Sequence, residues 1–256
     1  MTGQGSPMPP HLPSASGGVP PPSSTVDEVE ELLYILSHDL RTGFRAILTI
    51  PDFIEEDLSG LPEPQKSMLA EHLEMLRVQA RRSDRMLLDL RDYSRIGRLA
   101  SPVGVHTLAD ILARCAETAP LPDGFVLHVS GTATLSGPLN ELVMLFRALL
   151  SNCVKHHDAT SGRIDISTSQ KGTMTRIIVA DDGPGIPNRF RKDVFEMLRT
   201  LRSRDECEGS GIGLSLARKI VTALGGTIEV LDSGDSRGTA IALTVPTPPP
   251  TEQSPT

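Results

Sequence analysis

Leu36-Ser37-His38-Asp39-Leu40-Arg41-Thr42 sets a histidine beside a carboxylate, inside a stretch whose apolar residues recur at helical spacing. Val26, Val29, Leu33, Leu36, Leu40, Phe44, Ile47, Ile54 and Leu58 alternate mostly by three and four, the rhythm of a seam facing another helix. With Leu33 and Leu40 in equivalent seam positions, His38 is expected on the outer face, in water. An exposed imidazole with an adjacent acid is a candidate nucleophile, because the carboxylate can hold one ring nitrogen protonated and leave the other free. Alone, the pair is more simply read as a solvated surface pair.

Outward from this stretch, residues 26–98 read as a helical hairpin. Gly60, Pro62 and Pro64 punctuate a turn, and a second helix carries apolar or small residues at Leu69, Leu73, Leu76, Ala80, Ser83, Leu87, Leu90 and Ser94. Two helices with narrow seams cannot bury both faces alone, so the hairpin is expected to pair with a second copy into a four-helix bundle. Gly43 loosens the first helix, and Pro51 removes a backbone donor and should kink it; the alternative is that Pro51 ends it.

Residues 99–246 change pattern. Thr107–Thr118, Leu139–His157 and Ser210–Leu224 read as helices, the last ended by Gly225-Gly226. Phe125–Val129, Arg163–Thr168, Thr175–Ala180, Thr227–Leu231 and Thr239–Val245 read as strands. The expected fold is an α+β sandwich, helices covering one face of a mixed sheet. Residues 1–25 and 247–256, rich in Pro, Gly and Ser or Thr, have little to bury and are expected to be disordered.

Bulk composition narrows the function. Of 256 residues 38% are hydrophobic but only 3% aromatic, so the core must be built from Leu, Ile, Val, Ala and Met. A net charge of −7 argues against a general nucleic-acid binder. No basic run, signal peptide or membrane-spanning stretch is visible, so no membrane partner is expected. Cys115, Cys153 and Cys207 are scattered, as suits a reducing, cytoplasmic setting.

Three further segments carry chemistry. In Asn152-Cys153-Val154-Lys155-His156, the Asn oxygen suits Mg²⁺, and Lys155 on the same helical face can meet phosphate. Asp181-Asp182-Gly183-Pro184-Gly185-Ile186 follows a strand; its first carboxylate can accept from an exocyclic amine such as that of adenine, and its glycines admit a flat ring. Gly209-Ser210-Gly211-Ile212-Gly213-Leu214 opens a helix, whose N-terminal amides suit an anion. Separately, a polar helix end, a turn and a glycine-rich loop serve as well. The last segment matches neither the dinucleotide fingerprint nor a Walker loop.

In this order the four segments resemble the H, N, G1 and G2 boxes of sensor histidine kinases of two-component systems. Phe195 sits where that family carries its F box, and Gly238-Thr239 resembles the last nucleotide-contacting turn. The resemblance covers roughly residues 26–246. It implies that His38 is the phosphorylated residue, with Asp39 orienting it as base and Thr42 aligning water in a phosphatase reaction. It further implies Mg-ATP bound by Asn152, Lys155, His156, Asp181, Gly183, Gly185, Ile186, Gly209, Gly211, Ile212, Gly213, Leu214 and Thr239, with Asn152 on the metal. Residues 188–208 would be a mobile lid whose Arg199, Arg202 and Arg204 are candidates to steady phosphate. The implied partners are a response-regulator receiver domain and a second copy of the chain; since only the arm precedes the hairpin, either a separate sensory protein supplies the input or the enzyme reads a soluble cue directly. Two departures stand out: Gly43 where many relatives carry proline, and Ala148 where many carry asparagine and the hydrolytic ATPases a glutamate. A phosphorelay scaffold with a weakened ATP domain, and a serine-directed kinase sharing the pocket, are the competing expectations.

Overall fold

The structure is a computed structural model that describes residues 25–57, 65–97, 102–199, 210–232 and 237–248. The arm, most of the tail, the turn at Gly60, Pro62 and Pro64, and Arg202, Arg204, Cys207 and Gly209 lie outside the described residues. So do the side chains of Leu33, His38, Asp39 and Thr42, whose backbone is helical.

Helices α1 (Thr25–Asp57) and α2 (Gln65–Arg95) form the hairpin. Tyr34 meets Arg95, Arg41 meets Asp84, and Asp52 and Glu55 meet Arg77, a descending order that makes the pair antiparallel. α1 continues through Pro51, which is buried, so the alternative of an early stop fails.

On α2 the seam runs where the spacing put it; on α1 it is displaced. α2 turns Leu73, Ala80, Leu87 and Ser94 inward, one in every seven residues. Among the described side chains of α1 the buried ones are Ser37 and Pro51, with Phe44 half-buried between them. Leu36 and Leu40 are 54% and 51% exposed, and Ile47, Ile50 and Phe53 are exposed too. Moving from Leu36 to Ser37 rotates about 100° around the axis. The apolar strip of α1 is therefore wider than one seam: α2 takes the Ser37 line and leaves the Leu36–Leu40 line uncovered by this chain.

After the hairpin come β1 (Val103–Thr107), α3 (Leu108–Thr118), β2 (Phe125–Ser130), β3 (Thr134–Pro138), α4 (Leu139–Lys155), β4 (Gly162–Lys171) and β5 (Met174–Asp181). Two single-turn 3₁₀ helices, Asn188–Phe190 and Asp193–Phe195, lead on to α5 (Gly213–Ala223), β6 (Thr227–Val230) and β7 (Ala240–Pro246). Five strands form one mixed sheet in the order β2-β4-β5-β7-β6, parallel between β2 and β4 and antiparallel elsewhere. The α+β sandwich read from the sequence is the observed fold. β1 and β3 were not expected; they pair antiparallel as a separate ribbon, Val103 opposite Pro138 and Thr107 opposite Thr134.

Helix α4 shows why the layers hold. Leu142, Leu145, Phe146 and Leu149 fall at helical spacing and are fully buried. They join Ile164, Ile166, Ile177 and Leu243 from alternate positions of three strands, and Ile220 and Val221 from α5, in one core. That core also takes in Met86, Leu90, Tyr93 and Ile96 from the end of the hairpin.

Two helix ends differ from expectation. α4 stops at Lys155 rather than His157, because its last turn closes through the His156 amide on the Asn152 carbonyl and the His157 amide on that of Val154. α5 begins at Gly213 rather than Ser210. Gly211 has φ +70°, and a Cβ there would lie 2.9 Å from the Leu198 backbone, so the turn before the helix needs glycine.

Candidate functional site

The end of α4, the end of β5 with its following loop, and the start of α5 converge on one cavity of about 500 Å³. Asn152, Lys155 and His156 line it from α4, and Asp181, Gly185 and Ile186 from the β5 loop. Gly211, Ile212, Gly213 and Leu214 line it from α5, and Thr239 from the turn before β7. The sequence-derived residues of this lobe that are described thus gather around one space. Gly183 stands just behind that wall, its amide held by Asp181.

Asp181 is the most constrained group in the cavity. Its Oδ1 accepts the Gly183 amide at 3.0 Å and the Thr239 amide at 3.1 Å, while its own amide donates to the Thr239 carbonyl at 2.9 Å. The Cys153 thiol, buried beneath, also hydrogen-bonds this carboxyl. Burial pushes the Asp181 carboxyl above the ordinary carboxylate range, opposed by the two amides and the thiol. Burial likewise pushes the Cys153 thiol up, so it stays protonated. With Oδ1 taken by the main chain, the remaining acceptor capacity of Asp181 is left for a donor entering the cavity.

The loop beyond it is held close by glycine. Gly185 has φ +81°, and a Cβ there would meet the Gly238 carbonyl at 2.8 Å. Any side chain would push the loop off the β7 turn and spoil a slot for a flat ring. At the other end of the cavity, α5 presents its N-terminus with no side-chain cap at Ile212. Amides of an uncapped first turn, with Lys155 across the cavity, make an anion-binding end. Acceptor, slot and anion end together fit a purine nucleotide. Among the described residues, no group of three or more His, Cys, Asp and Glu could hold a metal. The neutral Asn152 oxygen beside an anion end suits a cation that keeps most of its waters and shares phosphate oxygens.

The hairpin supplies a wall that sequence reasoning missed. Arg82, Arg85, Asp89 and Asp92 of α2 line the same cavity. Ser210 Oγ donates to Asp89 Oδ2 at 2.6 Å, and Lys219 Nζ of α5 donates to the Tyr93 carbonyl at 2.9 Å while lying 4.4 Å from the Tyr93 ring centre. These residues sit on the polar flank of α2, where spacing signals only solvent. Ala148 lines the cavity as a bare methyl, so no carboxylate stands there to activate water. Arg199 lines it too and pairs with Asp193 at 3.2 Å; Phe195 is buried in the core.

Known proteins extend this picture. Residues 137–249 match the family described as histidine kinase-, DNA gyrase B-, and HSP90-like ATPase. The methanogenesis regulatory histidine kinase FilI of Methanothrix harundinacea is 28% identical over 227 residues, covering 86% of this chain and 25% of that protein. The adaptive-response sensory kinase SasA of Synechocystis is 30% identical over 232 residues, covering 85% of this chain and 59% of that protein. The chain thus spans between a quarter and about three-fifths of the length of these relatives. In fold it is similar to full-length ShkA, solved in complex with AMPPNP, at a TM-score of 0.62 and 22% identity over 85% of this chain and 46% of that one. Residues 137–249 thus match the histidine kinase-, DNA gyrase B-, and HSP90-like ATPase family, and over most of its length the chain is similar in sequence to histidine kinases.

Proposed function

We propose that the chain is an ATP-dependent protein-histidine kinase that phosphorylates itself on His38 and passes the phosphoryl group to an aspartate of a response-regulator receiver domain. The observation that carries this reading is the cavity itself: an amine-accepting carboxylate at one end, an anion end at the other, and the histidine-bearing hairpin forming one wall. In this reading Asp181 accepts from the adenine amine, and Gly183, Gly185, Ile186 and Thr239 shape the base slot. Lys155, His156 and the Gly211–Leu214 turn face the phosphates, with Gly209 next to them in sequence. Asn152 would hold Mg²⁺, which when bound screens phosphate charge.

His38 attacks the γ-phosphorus through a ring nitrogen, a P–N bond forms, the bond to the bridging oxygen breaks, and ADP leaves. Asp39 keeps the other ring nitrogen protonated and takes up the proton released. The chain contributes alignment and charge stabilisation, the usual means of phosphoryl transfer. Thr42, one helical turn on, aligns water when the phosphorylated regulator is hydrolysed. The bare Leu36–Leu40 line of α1 supports a homodimer, since a second hairpin presenting the same line would complete the bundle. Domain limits at 26–98 and 99–246, a separate sensory protein and a cytoplasmic setting belong to the same reading. Among the described residues no helix is long and apolar enough to cross a membrane.

The test is incubation with γ-labelled ATP. The wild type is expected to acquire label that is lost in acid and survives alkali, and His38→Gln to bind ATP without acquiring label. Undiminished labelling of the variant refutes the assignment.

A further inference from the structure

His157, at the end of the segment after α4, is not among the cavity-lining residues, yet its ring is almost sealed, the side chain only 4% exposed. Phe125 of β2 packs against it edge to face, ring centres 5.3 Å apart. Its Nε2 lies 3.1 Å from Asp182 Oδ1, and the same oxygen accepts the Arg163 amide of β4 at 2.8 Å. Across the loop, Arg237 Nε donates to the Asp182 carbonyl at 2.8 Å, and the Arg237 guanidinium pairs with Asp158. Asp182 is therefore gripped by its side chain from the segment after α4 and from β4, and by its main chain from the β7 turn. The residue immediately before it is Asp181.

The grip does not depend on the charge of the ring. In the neutral form, the Ala159 amide donates to Nδ1 at 3.0 Å and leaves the proton on Nε2. In the imidazolium form, Nδ1 donates instead to the Ala159 carbonyl at 3.2 Å. In both, Nε2 donates to Asp182. The ring also sits directly behind the base slot: a Cβ on Gly183 would lie 3.2 Å from the His157 ring and 3.0 Å from Asp181 Oδ1. Ring, glycine and carboxylate form one contiguous stack, so a shift of the ring moves the peptide whose amide holds Asp181.

We infer that His157 and Asp182 are positioning residues for nucleotide selection: they fix the peptide after Asp181, so that its carboxylate discriminates a purine bearing an exocyclic amine from one bearing a carbonyl. This rests on the adenine reading of Asp181, and the test separates the two. Dissociation constants for ATP and inosine triphosphate are measured by calorimetry on the full chain for the wild type, His157→Ala, His157→Gln, Asp182→Ala and Asp182→Asn, with thermal melts to verify folding. Gln at 157 keeps a donor for Asp182, and Asn at 182 keeps the acceptor.

The wild type is expected to prefer ATP. Both alanine variants are expected to lose about tenfold in ATP affinity, the worth of one well-placed hydrogen bond, while inosine triphosphate binding changes less than about twofold. The amide variants should recover most of the preference. A merely structural role would weaken both nucleotides alike. Folded alanine variants with an unchanged ATP-to-inosine ratio overturn the inference and leave the adenine reading intact. A wild type that binds both nucleotides equally overturns both. Should His157→Ala fail to fold, the exposed Asp182 pair decides by the same ratio.

Discussion

Ser210 and Asp89, 121 residues apart in sequence, share a 2.6 Å hydrogen bond that ties the glycine-rich turn of the ATPase lobe to the second helix of the hairpin. Burial raises the Asp89 carboxyl above its ordinary 3.8, opposed by the Ser210 hydroxyl and by the charges of Arg85 and Lys155. A raised value means that the folded protein binds this proton more tightly than the unfolded chain does. The stabilisation is complete below the unfolded value and fades as pH rises through the folded one. The wild-type minus Asp89→Asn melting temperature is therefore expected to fall as pH rises through the carboxylate range, because the variant lacks the titrating group. Superimposable profiles would count against a buried, proton-sensitive contact.

The same substitution removes a negative charge that Lys155 feels across the cavity. Asp89→Asn should therefore bind ATP more tightly, on the order of two- to fivefold at low salt, the gain shrinking as salt is added. Titration at two ionic strengths checks it, and weaker binding by the variant would mean that the carboxylate helps to hold nucleotide.

Asp181→Asn replaces an acceptor by a group that also donates, while its retained oxygen can keep the Gly183 and Thr239 amides. ATP affinity should fall on the order of 100-fold with little change in melting temperature, since the cost lies in facing an amine with an amine. Retained affinity in a folded Asp181→Asn variant would show that the base is read elsewhere.

Leu40→Asp puts a charge on the bare line of α1, where the side chain is 51% exposed within the chain. In a lone hairpin the change is almost harmless; in a dimer seam it buries an unpaired charge. The variant should sediment as a monomer and still bind ATP. A wild type that is monomeric at every concentration tested would remove the dimer from the proposal.

Phe146 is fully buried in the core between α4 and the sheet. Phe146→Ala should cost about 3–5 kcal/mol of stability by loss of transfer energy and creation of a cavity. Urea unfolding followed by far-ultraviolet circular dichroism measures it, and a cost below about 1 kcal/mol would mean that the layers collapse around the gap.

The layered lobe was legible because its signals are local. Leu142, Leu145, Phe146 and Leu149 announce a buried helix face, and alternation announces the strands β4, β5 and β7. β1 and β3 were silent because Val103 and Val105 are exposed and Thr134–Pro138 contains both Gly and Pro, so neither strand carries the pattern of a half-buried one. The cavity-lining residues announced themselves through turn glycines and a carboxylate at a strand end. The grip of His157 on Asp182 did not, because its two ends lie 25 residues apart and a single histidine carries no periodicity. The hairpin misled in a definite way: spacing revealed that α1 has an apolar strip, but not which half of it the chain's own second helix would take.

Met86, Leu90 and Tyr93 of α2 pack against the lobe's own core, which Ile96 just beyond the helix enters, while Leu73 and Ala80 of the same helix close the hairpin. One rigid rod therefore has its first half geared to the stalk and its second half keyed into the ATPase body. Residues that close the hairpin and Asp89 in the cavity wall are thus joined by one unbroken helix. In such a machine the drive shaft and the housing are the same piece.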